Sequence, residues 1–174
     1  MFNLKLLHAY PIFATIYFNT IELKKVRTMI EAGLTLEALC ILNGYIEVTY
    51  KVALRLAFPD DRMRLEISEL PHHEIMKLIK SINALAKSNF KYGEPYRKSA
   101  EKIYKHRNDY LHSFQLPEAS VFMTNITRIE LEALMNPFIQ SHESGLFSTF
   151  LDGYRGNKDV QEIICREISK KRGV

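Results

Sequence analysis

The chain reads as an all-α protein, a bundle of about five to seven helices, and three observations predict it. Apolar residues recur at three- and four-residue spacing in nearly every segment. Prolines, and glycines other than Gly44 and Gly145, fall between those segments, and no run of alternating apolar and polar residues is long enough to build a sheet. At 174 residues, 47% hydrophobic and 25% charged, the chain is long enough for one helical domain, 1–174, with a core of its own.

The segments follow in order. From Pro11 to Ala32 the apolar positions Ile12, Ile16, Leu23, Val26 and Ile30 fit a helix closed by Gly33, with a short strand over 12–18 as the alternative because that part is rich in β-branched and aromatic residues. Thr35 is the expected N-cap of the longest helix, which runs toward Pro59 with Ala38, Ile41, Leu42, Tyr45, Val48, Val52 and Leu56 on a broad apolar face. Glu37, Gly44, Glu47, Lys51 and Arg55 lie opposite, and Glu47 and Lys51 are spaced to pair across one turn. A helix with so wide an apolar face belongs at the centre of a bundle.

The stretch from Pro59 to Leu70 is weakly periodic and reads as a connection. Pro71 then opens a helix striped by Ile75, Leu78, Ile79, Ile82, Leu85 and Ala86 and ending near Phe90, with Gly93 closing the segment. Pro95 opens another, whose stripe is Tyr96, Ala100, Ile103, Arg107, Tyr110, Leu111 and Phe114, stopped by Pro117. Thr124 or Asn125 caps a helix with Ile126, Ile129, Leu131 and Leu134, expected to break before Pro137. Phe138 to Tyr154 is apolar but contains Gly145. Asn157 caps the last helix, lined by Val160, Ile163, Ile164 and Ile168 and ending in Lys170, Lys171 and Arg172, which complement its dipole.

The formal net charge of +4 and a pI near 9.0 favour an anionic partner such as nucleic acid. The two cysteines, Cys40 and Cys165, stand far apart in apolar patterns and are expected as buried, reduced thiols. The apolar N-terminus is interrupted by His8, Tyr10 and Pro11 with no small-residue cleavage site after it. Leu34 to Phe58 carries four charges, against a membrane span, so a soluble cytoplasmic protein is expected.

Chemistry concentrates in Lys105-His106-Arg107-Asn108-Asp109-Tyr110-Leu111-His112. Arg107 falls on an apolar stripe. Either its stem packs while the guanidinium reaches water, or that face meets a phosphate or another copy of the chain, for which arginine's planar, permanently charged fork is suited. On one helix Asn108 and His112 are a turn apart, whereas Arg107 is rotated from His112 by about 140°. The two converge more easily when two copies around a twofold axis each contribute a set, so the spacing favours a site shared by a dimer. A histidine titrating near neutrality can take a proton from a ribose 2′-hydroxyl or give one to the leaving oxygen, Arg107 can stabilise the phosphorane, and Asn108 can orient an oxygen or a ring nitrogen.

Arg107-Asn108-Asp109-Tyr110-Leu111-His112 resembles the signature of the HEPN family, an arginine, usually followed by a polar residue, with four to six positions before a histidine; here there are four. The likeness covers residues 34–136, with 137–174 as additional C-terminal helices. It implies a metal-independent endoribonuclease without a cofactor, a homodimer whose two motifs form one cleft, and a role as toxin or antiviral effector with an antitoxin or other protein partner. Carried over by position, Arg107 and His112 are catalytic and Asn108 supports them. Phe114 stands where some HEPN toxins carry a tyrosine that a partner nucleotidyltransferase modifies, which speaks against that route of regulation. Two alternatives stay open: a non-catalytic module of the same kind that binds nucleotide, RNA or protein, and a helical bundle whose motif is coincidence.

His72-His73-Glu74 has the residue types of a metal triplet, but adjacent histidines at a helix start diverge and no second cluster completes a site, so surface positions are expected. His8, His106 and His142 stand alone. Glu47 with Lys51 reads as a solvated ion pair. There is no glycine-rich phosphate loop, no GxSxG and no zinc spacing.

Overall fold

A computed structural model describes residues 23–85, 94–113 and 126–172 of the protein. The protein is all-α: the described residues hold eight helices and no strand. They are α1 (23–31), α2 (Thr35–Leu56), α3 (Asp61–Glu69), α4 (His72–Leu85), α5 (Glu94–Ser113), α6 (Arg128–Glu143), α7 (Leu146–Tyr154) and α8 (Lys158–Arg172). The expectations over 12–18, the helix end near Phe90, Gly93, and the caps Thr124 and Asn125 lie outside the described residues.

Helix α2 is the axis of the fold and packs against α3, α4, α5, α6 and α7, while α8 lies on α4. Its buried residues are Leu39, Leu42, Ile46, Tyr50, Ala53 and Leu54 together with Ala38 and Tyr45. That face is rotated from the apolar face expected above. Val48 is 56% exposed as a result, and Cys40 lies at the surface instead of in the core. Cys165 is exposed as well, on the outer side of α8 from Val160, Ile163 and Ile164.

Local chemistry explains the boundaries. Gly33, at φ +78°, ends α1 with the paired bonds of a left-handed C-cap, Gly33 N–H to the Ile30 carbonyl and Leu34 N–H to that of Met29. Leu34, not Thr35, then occupies the N-cap of α2 and supplies no side-chain bond. The stretch expected as a connection is helix α3, because the Asp60 carboxylate accepts from the backbone of both Arg62 and Met63 and so satisfies two donors a nine-residue helix would otherwise leave open. This one element carries the helix count past seven. Helix α6 is capped by Thr127, whose hydroxyl accepts from Glu130 N–H, and continues through Pro137 to Glu143. The carbonyl that Pro137 leaves without a donor belongs to Ala133, an exposed position. Its buried stripe runs Leu131, Leu134, Met135 and Phe138, and Ile129, 200° from Leu131 on a regular helix, is 78% exposed.

The C-terminal helices share the same core. Tyr154, Val160 and Ile164 are fully buried within it. Gly156 N–H donates to the Leu56 carbonyl and the Gln161 side-chain amide to that of Ala57, so the α7–α8 turn satisfies the orphan carbonyls at the end of α2.

Candidate functional site

Arg107 lies in the penultimate turn of α5, half-buried, with its guanidinium Nη1 donating to Asn108 Oδ1 at 3.1 Å. Two of the three site residues expected from sequence are therefore joined directly. His112 is in the last turn, exposed, and makes no hydrogen bond or ion pair within the described residues. One subunit does not bring His112 to Arg107.

What lies inward of Arg107 is a polar cluster at the meeting of α2, α4 and α5. His72, in the first turn of α4, keeps 9% of its side chain exposed. Its ring leans on Tyr104 of α5, with centroids 4.7 Å apart and planes at 53°. Its Nδ1 lies 3.2 Å from Asn43 Nδ2 and 3.5 Å from Glu47 Oε2, and Glu47 Oε1 pairs with Lys51 Nζ at 2.8 Å. Burial holds the His72 pKa below the usual imidazole value of 6.5; the Glu47 carboxylate pulls the other way, and the charges of Arg107, Lys51 and His73 add to the depression. The ring is thus neutral at pH 7, with its Nδ1 and the Asn43 side-chain amide within hydrogen-bond distance. Its Nε2, like Asn43 Oδ1, is buried with no hydrogen-bond partner among the described residues.

His72 is thus not the surface residue expected, and the Glu47–Lys51 pair is the half-buried outer part of the cluster rather than a solvated ornament. A signal for both was present. His72, Ile75, Met76 and Ile79 share one helical stripe, and Asn43 lies in line with Leu39, Ile46 and Tyr50. His73 does sit outside, 51% exposed and 3.0 Å from Glu74 Oε1.

Two other histidines have partners in sequence-distant helices. The Tyr45 hydroxyl and His142 Nε2 share a hydrogen bond of 2.8 Å between α2 and α6, and burial lowers the His142 pKa. His106 Nε2 lies 3.4 Å from Glu130 Oε1, joining α5 to α6. A groove of about 270 Å³ between α3 and α8, lined by Met63, Glu66, Cys165 and Ile168 among others, is remote in sequence from the motif and includes none of its residues. Among the described residues no group of three or more His, Cys, Asp or Glu is placed to hold a metal ion, and no helix is long and apolar enough to cross a membrane.

The arrangement offers one fixed cation beside an amide, backed by a neutral buried imidazole, and an imidazole in open solvent one and a half turns further on. Comparison of the chain with protein-family models, with curated proteins and with solved structures found no match.

Proposed function

We propose that the protein is a metal-independent endoribonuclease of the HEPN kind, acting as a homodimer in which each copy contributes Arg107, Asn108 and His112 to a shared cleft. The reading is carried by one observation: Arg107 is held by Asn108 at 3.1 Å in a half-buried position, while His112, the group that would exchange protons, is exposed at the end of the same helix. A fixed guanidinium suits a charge that develops on phosphorus, and an exposed imidazole suits a proton shuttle that must reach ribose. In this reaction His112 of one set takes the 2′-hydroxyl proton as the oxygen attacks phosphorus. The P–O5′ bond breaks, the partner's His112 protonates the leaving 5′-oxygen, and a 2′,3′-cyclic phosphate remains. Arg107 stabilises the phosphorane and Asn108 keeps the guanidinium turned toward it. A role as toxin or antiviral effector in the cytoplasm, restrained by an antitoxin, belongs to the same proposal.

The second reading, a module that binds RNA or nucleotide without cutting, is favoured by the distance in sequence and rotation between Arg107, held by Asn108, and His112, which one subunit does not bring together. One assay separates them: purified protein and its Arg107→Ala and His112→Ala variants are incubated with total RNA and tRNA in EDTA. The nuclease reading expects cleavage by the parent, cyclic-phosphate ends, and loss of both in each variant. Retention of RNA without cleavage supports the module, and equal cleavage by all three overturns the mechanism.

A further inference from the structure

The side of α2 that the bundle leaves uncovered carries Glu37, Cys40, Gly44, Val48 and Arg55, all exposed, bordered by the half-buried Ile41, Val52, Glu47 and Lys51. Among the described residues Gly44 has no packing role: a Cβ built there meets nothing within 4 Å, and its φ is not positive. Glycine in mid-helix weakens the helix relative to alanine, so its presence calls for a close approach from outside. Val48, one turn on, is 56% exposed.

From these positions we infer that this face pairs antiparallel with the same face of a second copy, Gly44 receiving the partner's Val48 and Glu37 meeting the partner's Arg55. Glu37 and Arg55 are separated by eighteen positions, five full turns, so they project from the same side of the helix roughly 27 Å apart. The Glu37–Arg55 and Gly44–Val48 pairs are both symmetric about position 46, and one twofold axis therefore satisfies both at once. In that register Ile41 comes opposite the partner's Val52, and Cys40 opposite the partner's Lys51. The two copies of Cys40 stand about 18 Å apart, too far for a disulfide.

Charge selects the direction. A parallel pairing sets Glu37 on the partner's Glu37 and Arg55 on the partner's Arg55, whereas the antiparallel one makes two opposite-charge contacts. Neither residue has an ion pair among the described residues of its own chain, so both are available. The helix dipole alone accounts for an acid at the start and a base at the end of α2, but not for a glycine between them that no described residue approaches. Along the Glu47–Lys51 edge of the face lie His72 and, acting on it, Arg107. The pairing stands without the nuclease reading, and gives a shared site the twofold axis it would need.

The test is mass in solution, by sedimentation equilibrium, with circular dichroism to follow the fold of each variant. The wild-type chain is expected to dimerise, and Val48→Asp to raise the dimer Kd by roughly a hundredfold, because the charge is introduced twice at the centre of the interface. Glu37→Arg and Arg55→Glu are each expected to weaken it about tenfold, and the double reversal to recover most of that loss. In a Cys40→Ser, Cys165→Ser background, Gly44→Cys with Val48→Cys is expected to cross-link two chains under mild oxidation. A wild-type monomer at about 100 μM, well above the Kd expected of a specific dimer, overturns the inference. So does a dimer indifferent to Val48→Asp, or a double reversal no tighter than either single one. Because the readout is mass, an inactive protein that dimerises in this register still upholds it.

Discussion

Replacing His72 and His142 together by glutamine should flatten the acid side of the protein's stability curve. Both rings have depressed pKa values in the folded state, His72 through burial with Arg107 and Lys51 reinforcing it against Glu47, and His142 through burial alone. Above pH 6.5 each ring is neutral folded and unfolded, so neither contributes a pH dependence. Below 6.5 the unfolded chain takes up protons that the folded one refuses, and stability falls until the pH reaches the folded values. One proton of difference is worth about 1.4 kcal/mol per pH unit, so between pH 6.5 and 5.5 each ring lowers stability by at most about 1.4 kcal/mol and the two by under about 3. Water that reaches either ring brings the loss below that ceiling. Guanidinium unfolding at pH 7.5, 6.5 and 5.5, at one protein concentration, measures it. The wild type should lose stability across the lower interval and the double variant should lose distinctly less. Equal slopes, or imidazole resonances of His72 and His142 titrating at or above pH 6.5, would refute the account.

Three further outcomes follow from packing and capping. Phe138→Ala, removing a ring 1% exposed that meets Tyr45 edge-on at 6.0 Å, should destabilise by about 3–5 kcal/mol in denaturant titration with the m-value unchanged. Asp60→Ala removes both acceptor bonds at the start of α3 and should cost about 1 kcal/mol by the same titration, with Asp60→Asn recovering most of it. Gly44→Ala should raise the stability of the monomer by about 0.5–1 kcal/mol in thermal melts at high dilution, while weakening self-association at high concentration.

The helical class was legible because periodicity reports which residues share a side, and most of α4, α5 and α8 follows from it. Where the reading failed, the missing information lay outside the helix concerned. Helix α3 has little apolar patterning, with only Ile67 buried, and exists through Asp60 and through packing on α2. Pro137 weakens α6 without ending it, because the packing of Leu134, Met135 and Phe138 on the core holds the helix on both sides of it, and that packing is not written in the local sequence. The buried face of α2 was misplaced because Tyr45 and Tyr50 are both apolar enough to centre it, and the choice depends on what α6 and α7 present: Phe138 to Tyr45, and Phe150 to Tyr50 at 6.3 Å. Of the site, Arg107 and Asn108 are legible as neighbours in sequence, whereas the His72-His73 doublet masks that His72 alone continues the Ile75–Ile79 stripe into the core.

Gly44 and Arg107 are costly to the fold seen in the described residues, and that cost points outward. A bundle made only to be stable would place alanine at 44 and an apolar residue at 107, since an arginine stem leading to a half-buried guanidinium must be desolvated in part and compensated by neighbours. Here the compensation is partial: among the described residues Asn108 accepts one bond, and the neutral His72 offers the guanidinium no opposite charge. An arginine left with donors to spare, beside a face whose glycine invites a second chain, is placed for an anion that arrives after the two copies meet. Dimerisation should therefore precede RNA binding. Val48→Asp, which alters neither Arg107 nor His112, is then expected to weaken RNA retention on a filter about as much as it weakens the dimer, and retention by a monomeric Val48→Asp protein equal to wild type would separate the two events.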